Sequence, residues 1–110
     1  MKHLLSLVLL VFFVLFTVSQ PALAASADTG AKIFETHCAG CHINGGNIVR
    51  RGKNLKLKTL QRNQMDSIEA IANIVANGKN NMSAYQDRLT EQQIQEVSAY
   101  VLEQAQQNWR

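Results

Sequence analysis

Cysteine is almost missing from this chain of 110 residues: Cys38 and Cys41 are the only two, beside three histidines, His3, His37 and His42. A structural zinc site takes four Cys or His ligands. Past the pair and its neighbour His42, only His37 and His3 remain, and His3 lies in a segment expected to be removed. A thioredoxin-like dithiol needs a βαβ surrounding, and no stretch here reads as a strand. Aromatic residues make up 6% of the chain and the formal charge is only +3. That composition carries no sign of a nucleic-acid partner. Internal repeats and low-complexity tracts are absent as well. Acidic residues are missing from Arg50 to Arg62, where six basic ones fall.

What is present centres on Cys38-Ala39-Gly40-Cys41-His42, which reads C-x-x-C-H, the attachment signature of c-type haem. Two thiols at this spacing can each add to a haem vinyl group, and the following histidine is then held under the iron as a ligand. One haem uses both cysteines, and no other pair exists.

The first two dozen residues look like a targeting segment. Lys2 supplies a positive head, Leu4 to Val18 is apolar apart from Ser6 and Thr17, and Ala22-Leu23-Ala24 is an A-x-A cleavage pattern. A second such pattern, Ala25-Ser26-Ala27, follows directly. The apolar run is short for a spanning helix, so a cleaved signal peptide over 1–24 is expected rather than a permanent membrane anchor. The remaining 25–110 form one domain of 86 residues with a net charge of +2. That length is small for a self-sufficient apolar core, a need that a buried haem would meet.

Helical periodicity then runs through the domain. Asp28 to His37 reads as a first helix with Asp28 as N-cap, and with Ala31, Ile33 and Phe34 on its apolar face. Gly30 sits where a close helix crossing would need it. His37 reads as a solvated turn residue. Asn44-Gly45-Gly46-Asn47 is a turn, whose glycines would let the backbone pass close to a haem edge. A short helix from about Asn54 to Asn63 carries Leu55, Leu57 and Leu60. The basic residues of 50–62 read as a solvated face before they read as a docking patch. Asp66-x-x-Glu69 resembles a capping box opening a helix with Ile68, Ile71, Ala72 and Val75 inside and Gly78 as its C-cap. Thr90-x-x-Gln93 opens the last helix, whose stripe is Ile94, Val97, Tyr100 and Val101. The tail from Gln104 to Arg110 is polar and holds Trp109.

Two methionines remain for a second iron ligand. A thioether favours ferrous iron and closes the second face of the ring. Met65 precedes a helix cap and suits a staple. Met82 sits in a polar loop of Lys, Asn and Ser, where a core residue is out of place, so Met82 is the expected ligand.

These motifs resemble the cytochrome c6 family of class I c-type cytochromes over nearly the whole domain. The matching residues are Gly30-Ala31-Lys32-Ile33-Phe34, Cys38 to His42, Gly45-Gly46-Asn47, Glu69-Ala70-Ile71, Asn77-Gly78-Lys79, Met82-Ser83-Ala84-Tyr85, Arg88-Leu89, and Val101 to Ala105 with Trp109. The resemblance implies an all-α class I cytochrome c fold, with about four helices around one covalently bound haem c. It implies Cys38 and Cys41 as the covalent anchors and His42 and Met82 as the axial ligands. The implied role is one-electron transport rather than enzyme catalysis, by a monomer. The donor would be the cytochrome b6f complex and the acceptor photosystem I or cytochrome oxidase, in a cyanobacterial thylakoid lumen or periplasm. Phe34 and Tyr100 would meet where the first and last helices cross. Two departures stand out. Ser83 replaces the family's proline after the methionine, and Ile74 replaces a glutamine three residues before Asn77-Gly78, as in the divergent c6-like branch. A loosened Met82 would suit the alternative of a haem-based redox or ligand sensor. A peroxidase-like enzyme would need a distal His or Arg constellation, which the chain does not offer.

Overall fold

A computed structural model describes residues 1–16 and 21–110, with the side chains of 1–13 and 28–110. The expected cleavage patterns at 22–24 and 25–27 lie outside the described side chains. Among the described residues there are helices and turns, and the only strand-like feature is an isolated bridge between Lys79 and Met82. The helices are α1 (Lys2–Phe16), α2 (Pro21–His37), the single turn α3 (Ala39–His42), α4 (Leu57–Arg62), α5 (Ile68–Asn77) and α6 (Glu91–Gln106). Two 3₁₀ turns, Ile43–Gly45 and Arg51–Lys53, interrupt the loop between α3 and α4.

In α1, Leu4, Leu5 and Leu7 to Phe13 are exposed. Among the described residues, no helix is long and apolar enough to cross a membrane. The helix α2 starts at Pro21, so Asp28 lies inside it rather than capping it. Ala22 to Ala27 include four alanines. Alanine is the best helix former and lets the helix propagate back past the polar residue that would otherwise stop it.

The core forms where α2 and α5 pack on α6. Ile33 and Phe34 from α2, Ile71, Ala72 and Val75 from α5, and Ile94, Val97 and Val101 from α6 are buried together with Leu89. The α2–α6 crossing is close because Gly30 has no side chain. A Cβ there would lie 2.5 Å from the Glu96 carbonyl oxygen and 2.9 Å from the Tyr100 Cβ. Phe34 and Tyr100 meet at this crossing with ring centroids 5.5 Å apart, as the resemblance implied.

The caps follow local chemistry. Thr90 and Gln93 form the expected reciprocal box, each side chain bonded to the other residue's backbone amide. At α5 the cap is Ser67, not Asp66. The Ser67 hydroxyl accepts the Ala70 amide at 3.1 Å. Serine and aspartate are equally good caps, and when they are adjacent, the one in extended backbone just ahead of the first helical residue takes the role.

The tail after α6 is not a loose end. Asn108 and Trp109 take left-handed backbone, with φ of 62° and 57°. This turn folds the Trp109 ring back onto Phe34 and Tyr100, at centroid distances of 5.2 and 6.3 Å. Gly45, buried and with φ of +76°, makes room for that indole, because any Cβ there would collide with it.

Candidate functional site

The end of α2 delivers Cys38, whose carbonyl accepts the amides of Cys41 at 3.2 Å and His42 at 2.9 Å. Both thiols and the imidazole therefore belong to one helical turn. Cys38 is half-buried and Cys41 exposed. Burial pushes the Cys38 thiol up to about 11. That is the wrong direction for a reactive dithiol, whose nucleophilic member is held low. It weighs against the thioredoxin-like alternative on chemical grounds.

His42 is half-buried, with Nδ1 2.8 Å from the Gly46 carbonyl oxygen. A carbonyl only accepts, so Nδ1 carries the hydrogen. The lone pair is then left on Nε2, free to ligate a metal. The turn after α3 aims this acceptor. Its residue Asn44 is left-handed at φ 53°, and the Gly46 amide closes it onto the Ile43 carbonyl at 2.9 Å.

Met82 comes from the loop between α5 and α6. Its backbone is paired both ways with Lys79, at 3.0 and 2.9 Å. Gly78 permits this pairing through a φ of +70°; a Cβ there would meet the Met82 carbonyl at 2.5 Å. The following residues tie the loop down further. Tyr85 donates its amide to Val75 at 2.9 Å and its hydroxyl to the His37 carbonyl at 3.1 Å. His37 is not a free turn residue. It ends α2 with its ring edge-on to Tyr85 at 5.9 Å, and the Arg88 guanidinium lies 4.3 Å from the centroid of the Tyr85 ring.

A cavity of about 480 Å³ joins these segments, and Cys38, Cys41, His42 and Met82 all line it. The size falls within the range of cofactor pockets, roughly 300–1,000 Å³. Its walls are mainly apolar and include Phe34, Leu60, Ile71, Val75, Val97 and Val101. Among the described residues no buried side-chain polar atom lacks a hydrogen-bond partner. The wall thus suits an apolar plate. The polar or soft groups facing the cavity include two thiols, an imidazole and a thioether, the donor set that holds a c-type haem. On these grounds the residues fit the group.

Met65 and Ile74 also line the cavity. The resemblance singled out Ile74 as standing in place of a glutamine, and Ile74 lines the cavity. Ile43, Ile48 and Val49 are exposed by 60, 63 and 53%, and Val49 also lines the cavity. Ile48 is bonded through its amide to the carbonyl of the exposed Cys41 at 3.0 Å. The basic segment begins immediately afterwards. Two of its cations serve the loop itself: Lys53 donates to the Asn63 side chain at 2.6 Å and Lys56 to the Asn44 carbonyl at 3.1 Å.

Comparison with known proteins places this arrangement in company. Residues 25–101 match the family described as cytochrome C oxidase, cbb3-type, subunit III. A cytochrome c6-like protein of Nostoc sp. is 61% identical over 111 residues, covering all of both chains. A cytochrome c6 of Synechococcus sp. is 47% identical over 99% of this chain and 98% of its own. The crystal structure of cytochrome c6C from Synechococcus sp. PCC 7002 superposes with a TM-score of 0.71 at 63% identity, covering 72% of this chain and 96% of that one.

Proposed function

This chain belongs to the cytochrome c6 family, in its c6-like branch, and we propose that it works there as a one-electron carrier with His42 and Met82 as the axial ligands of its haem. The family carries one covalently attached haem c on an all-α fold, and Cys38 and Cys41 have the spacing that attachment uses. When bound, the haem supplies a one-electron ferric–ferrous couple.

The residues of the chain do the rest. Cys38 and Cys41 fix the plate on the α3 turn. The Gly46 carbonyl sets the tautomer and orientation of His42. The Lys79–Met82 pairing and the two Tyr85 bonds hold the opposite wall still. Little reorganisation between the two charge states is what a fast carrier needs. The observation that carries the reading is the single cavity lined by all four of Cys38, Cys41, His42 and Met82. Met65 lines it too, but precedes α5 without a comparable bridge, which supports Met82 as the ligand.

The apolar patch of Ile43, Ile48 and Val49 lies beside Cys41, near the point where the ring is anchored, and is followed by Arg50 and Arg51. It suits brief docking on an acidic partner surface. By family, the donor is the cytochrome b6f complex and the acceptor photosystem I or a terminal oxidase. The carrier is exported to the thylakoid lumen or periplasm as the domain 25–110. Cleavage after Ala24 would shorten α2 to within a turn of Asp28, the position that suits a cap. The sensor alternative calls for a mobile Met82 beside the lost proline, and the Lys79–Met82 bridge just before Ser83 argues for a fixed one.

The test is a redox titration of the holoprotein followed by electron-transfer kinetics with isolated photosystem I. Second-order oxidation of the reduced protein by photosystem I supports the carrier. No reaction there, with rapid carbon monoxide binding to the reduced protein at neutral pH, selects the sensor instead.

A further inference from the structure

Trp109 links Leu55 to the turn that follows His42. Its indole Nε1–H donates to the Leu55 carbonyl at 2.9 Å. The amide of the same Leu55 donates to the Gly45 carbonyl at 2.7 Å. The ring also lies directly against Gly45, so closely that no Cβ would fit. The next residue, Gly46, presents the carbonyl that accepts His42 Nδ1–H at 2.8 Å. The chain folds to reach this place at a conformational cost. Asn108 and Trp109 are both left-handed, and a non-glycine residue in that region costs roughly 1 kcal/mol. Such strain persists only where surrounding contacts impose it. Here those contacts include the hydrogen bond from the Trp109 amide to the Gln104 carbonyl at 2.7 Å, the tilted ring contact with Phe34 and the bond to Leu55.

We propose that Trp109 is a positioning residue for His42: it clamps Leu55 and Gly45 so that the Gly46 carbonyl stays on the imidazole Nδ1–H, and thereby sets how strongly His42 donates to the iron. The inference rests on reading His42 as an axial ligand. A firm Nδ1–H···O=C bond makes the imidazole more basic at Nε2. A more basic ligand stabilises ferric over ferrous iron and lowers the midpoint potential. Releasing the clamp weakens that bond, so the potential rises.

The experiment compares the holoprotein with Trp109→Phe, which keeps an aromatic ring but loses the Nε1–H donor, and with Gly45→Ala, which pushes the clamp apart from the other side. Ala72→Gly is the control. Ala72 is buried in α5 and does not line the cavity, so its loss lowers stability without touching the network. Three quantities are read: the midpoint potential, the solvent-exchange rate of His42 Nδ1–H by proton NMR of the reduced protein, and Tm. Both clamp variants should raise the potential and speed that exchange about fivefold, the ratio that one net hydrogen bond of about 1 kcal/mol represents. Ala72→Gly should lower Tm and leave the other two unchanged. If Trp109→Phe leaves potential and exchange at wild-type values, or if Ala72→Gly moves them as much at an equal loss of Tm, Trp109 only stabilises the fold and the proposal is overturned. A separate failure is recognisable in the wild type itself. If the oxidised protein shows no paramagnetically shifted His42 ring signals, His42 is not a ligand, and the reading beneath the proposal falls with it.

Discussion

Two methionine sulfurs, those of Met65 and Met82, face the same cavity, and Met82 is the one proposed as the iron ligand. Met82 is held by paired backbone bonds to Lys79 on one side and by Tyr85 on the other, whereas Met65 follows α4 with its amide on the Leu60 carbonyl at 2.7 Å. Met82→Ala should therefore abolish the weak far-red charge-transfer band of methionine-ligated ferric haem while the covalent haem remains, and Met65→Ala should keep it. The reverse pattern would reassign the ligand. Ile74 poses a second question at this scale. It is half-buried on the cavity wall, at the position where the resemblance to the family implies a glutamine amide. An amide hydrogen pointed at the ring opposes the extra charge of ferric iron, whereas an aliphatic side chain supplies no such dipole. Burial in apolar surroundings acts the other way, by disfavouring the ferric charge. An oriented dipole at contact range outweighs what one side chain does to the mean dielectric. Ile74→Gln should thus raise the midpoint potential by about 20–60 mV, the equivalent of one ordinary polar interaction for a one-electron couple. A titration at one pH checks this, and a fall with Met82 still ligated would reverse the account.

At the level of elements, the α2–α6 crossing is tightly constrained. Gly30→Ala gains about 1 kcal/mol of helix propensity. It also forces a Cβ onto the Glu96 carbonyl, and neither helix backbone can yield cheaply. Overpacking of that kind costs about 1–3 kcal/mol, so the net loss should be about 1 kcal/mol and Tm should fall by roughly 4–8 °C. A rise in Tm would mean that the helices have room to part. Much of this layout was legible beforehand. The stripes of α5 and α6, the Thr90 box, the Gly78 cap and the crossing at Gly30 all follow from local chemistry repeated at helical period. What stayed hidden depends on neighbours far along the chain. Ser67 and Asp66 are equal on paper, and only the backbone direction chooses between them. Trp109 sits in a polar tail without periodic partners, and its destination, a glycine more than sixty positions earlier, leaves no local trace. The site divides in the same way. The C-x-x-C-H turn announces itself and the resemblance pointed to Ile74, whereas the presence of Met65 on the cavity wall is a product of packing.

For the molecule as a whole, charge and apolar surface meet on one side. Arg50 and Arg51 are exposed next to the patch of Ile43, Ile48 and Val49, and no acidic residue interrupts the basic run. Reversing both arginines to glutamate should slow the second-order reaction with an acidic partner at low salt and flatten its dependence on ionic strength. A rate that does not change would make the run no more than a solvated face. The same crossing that shapes the core also governs when the core can exist. Between the end of α2 and the start of α6 lie 53 residues, 38 to 90, and joining the ends of such a segment costs about 3.5 kcal/mol in chain entropy before any contact repays it. Under the proposed export, a chain delivered head first through a membrane would have its cysteines across long before Val97, Val101 and Trp109 arrive. Until then α2 has nothing to close against, and the thiols of Cys38 and Cys41 stand open to whatever machinery attaches the ring. The order of emergence keeps the door ajar for the cofactor, and the last helix shuts it.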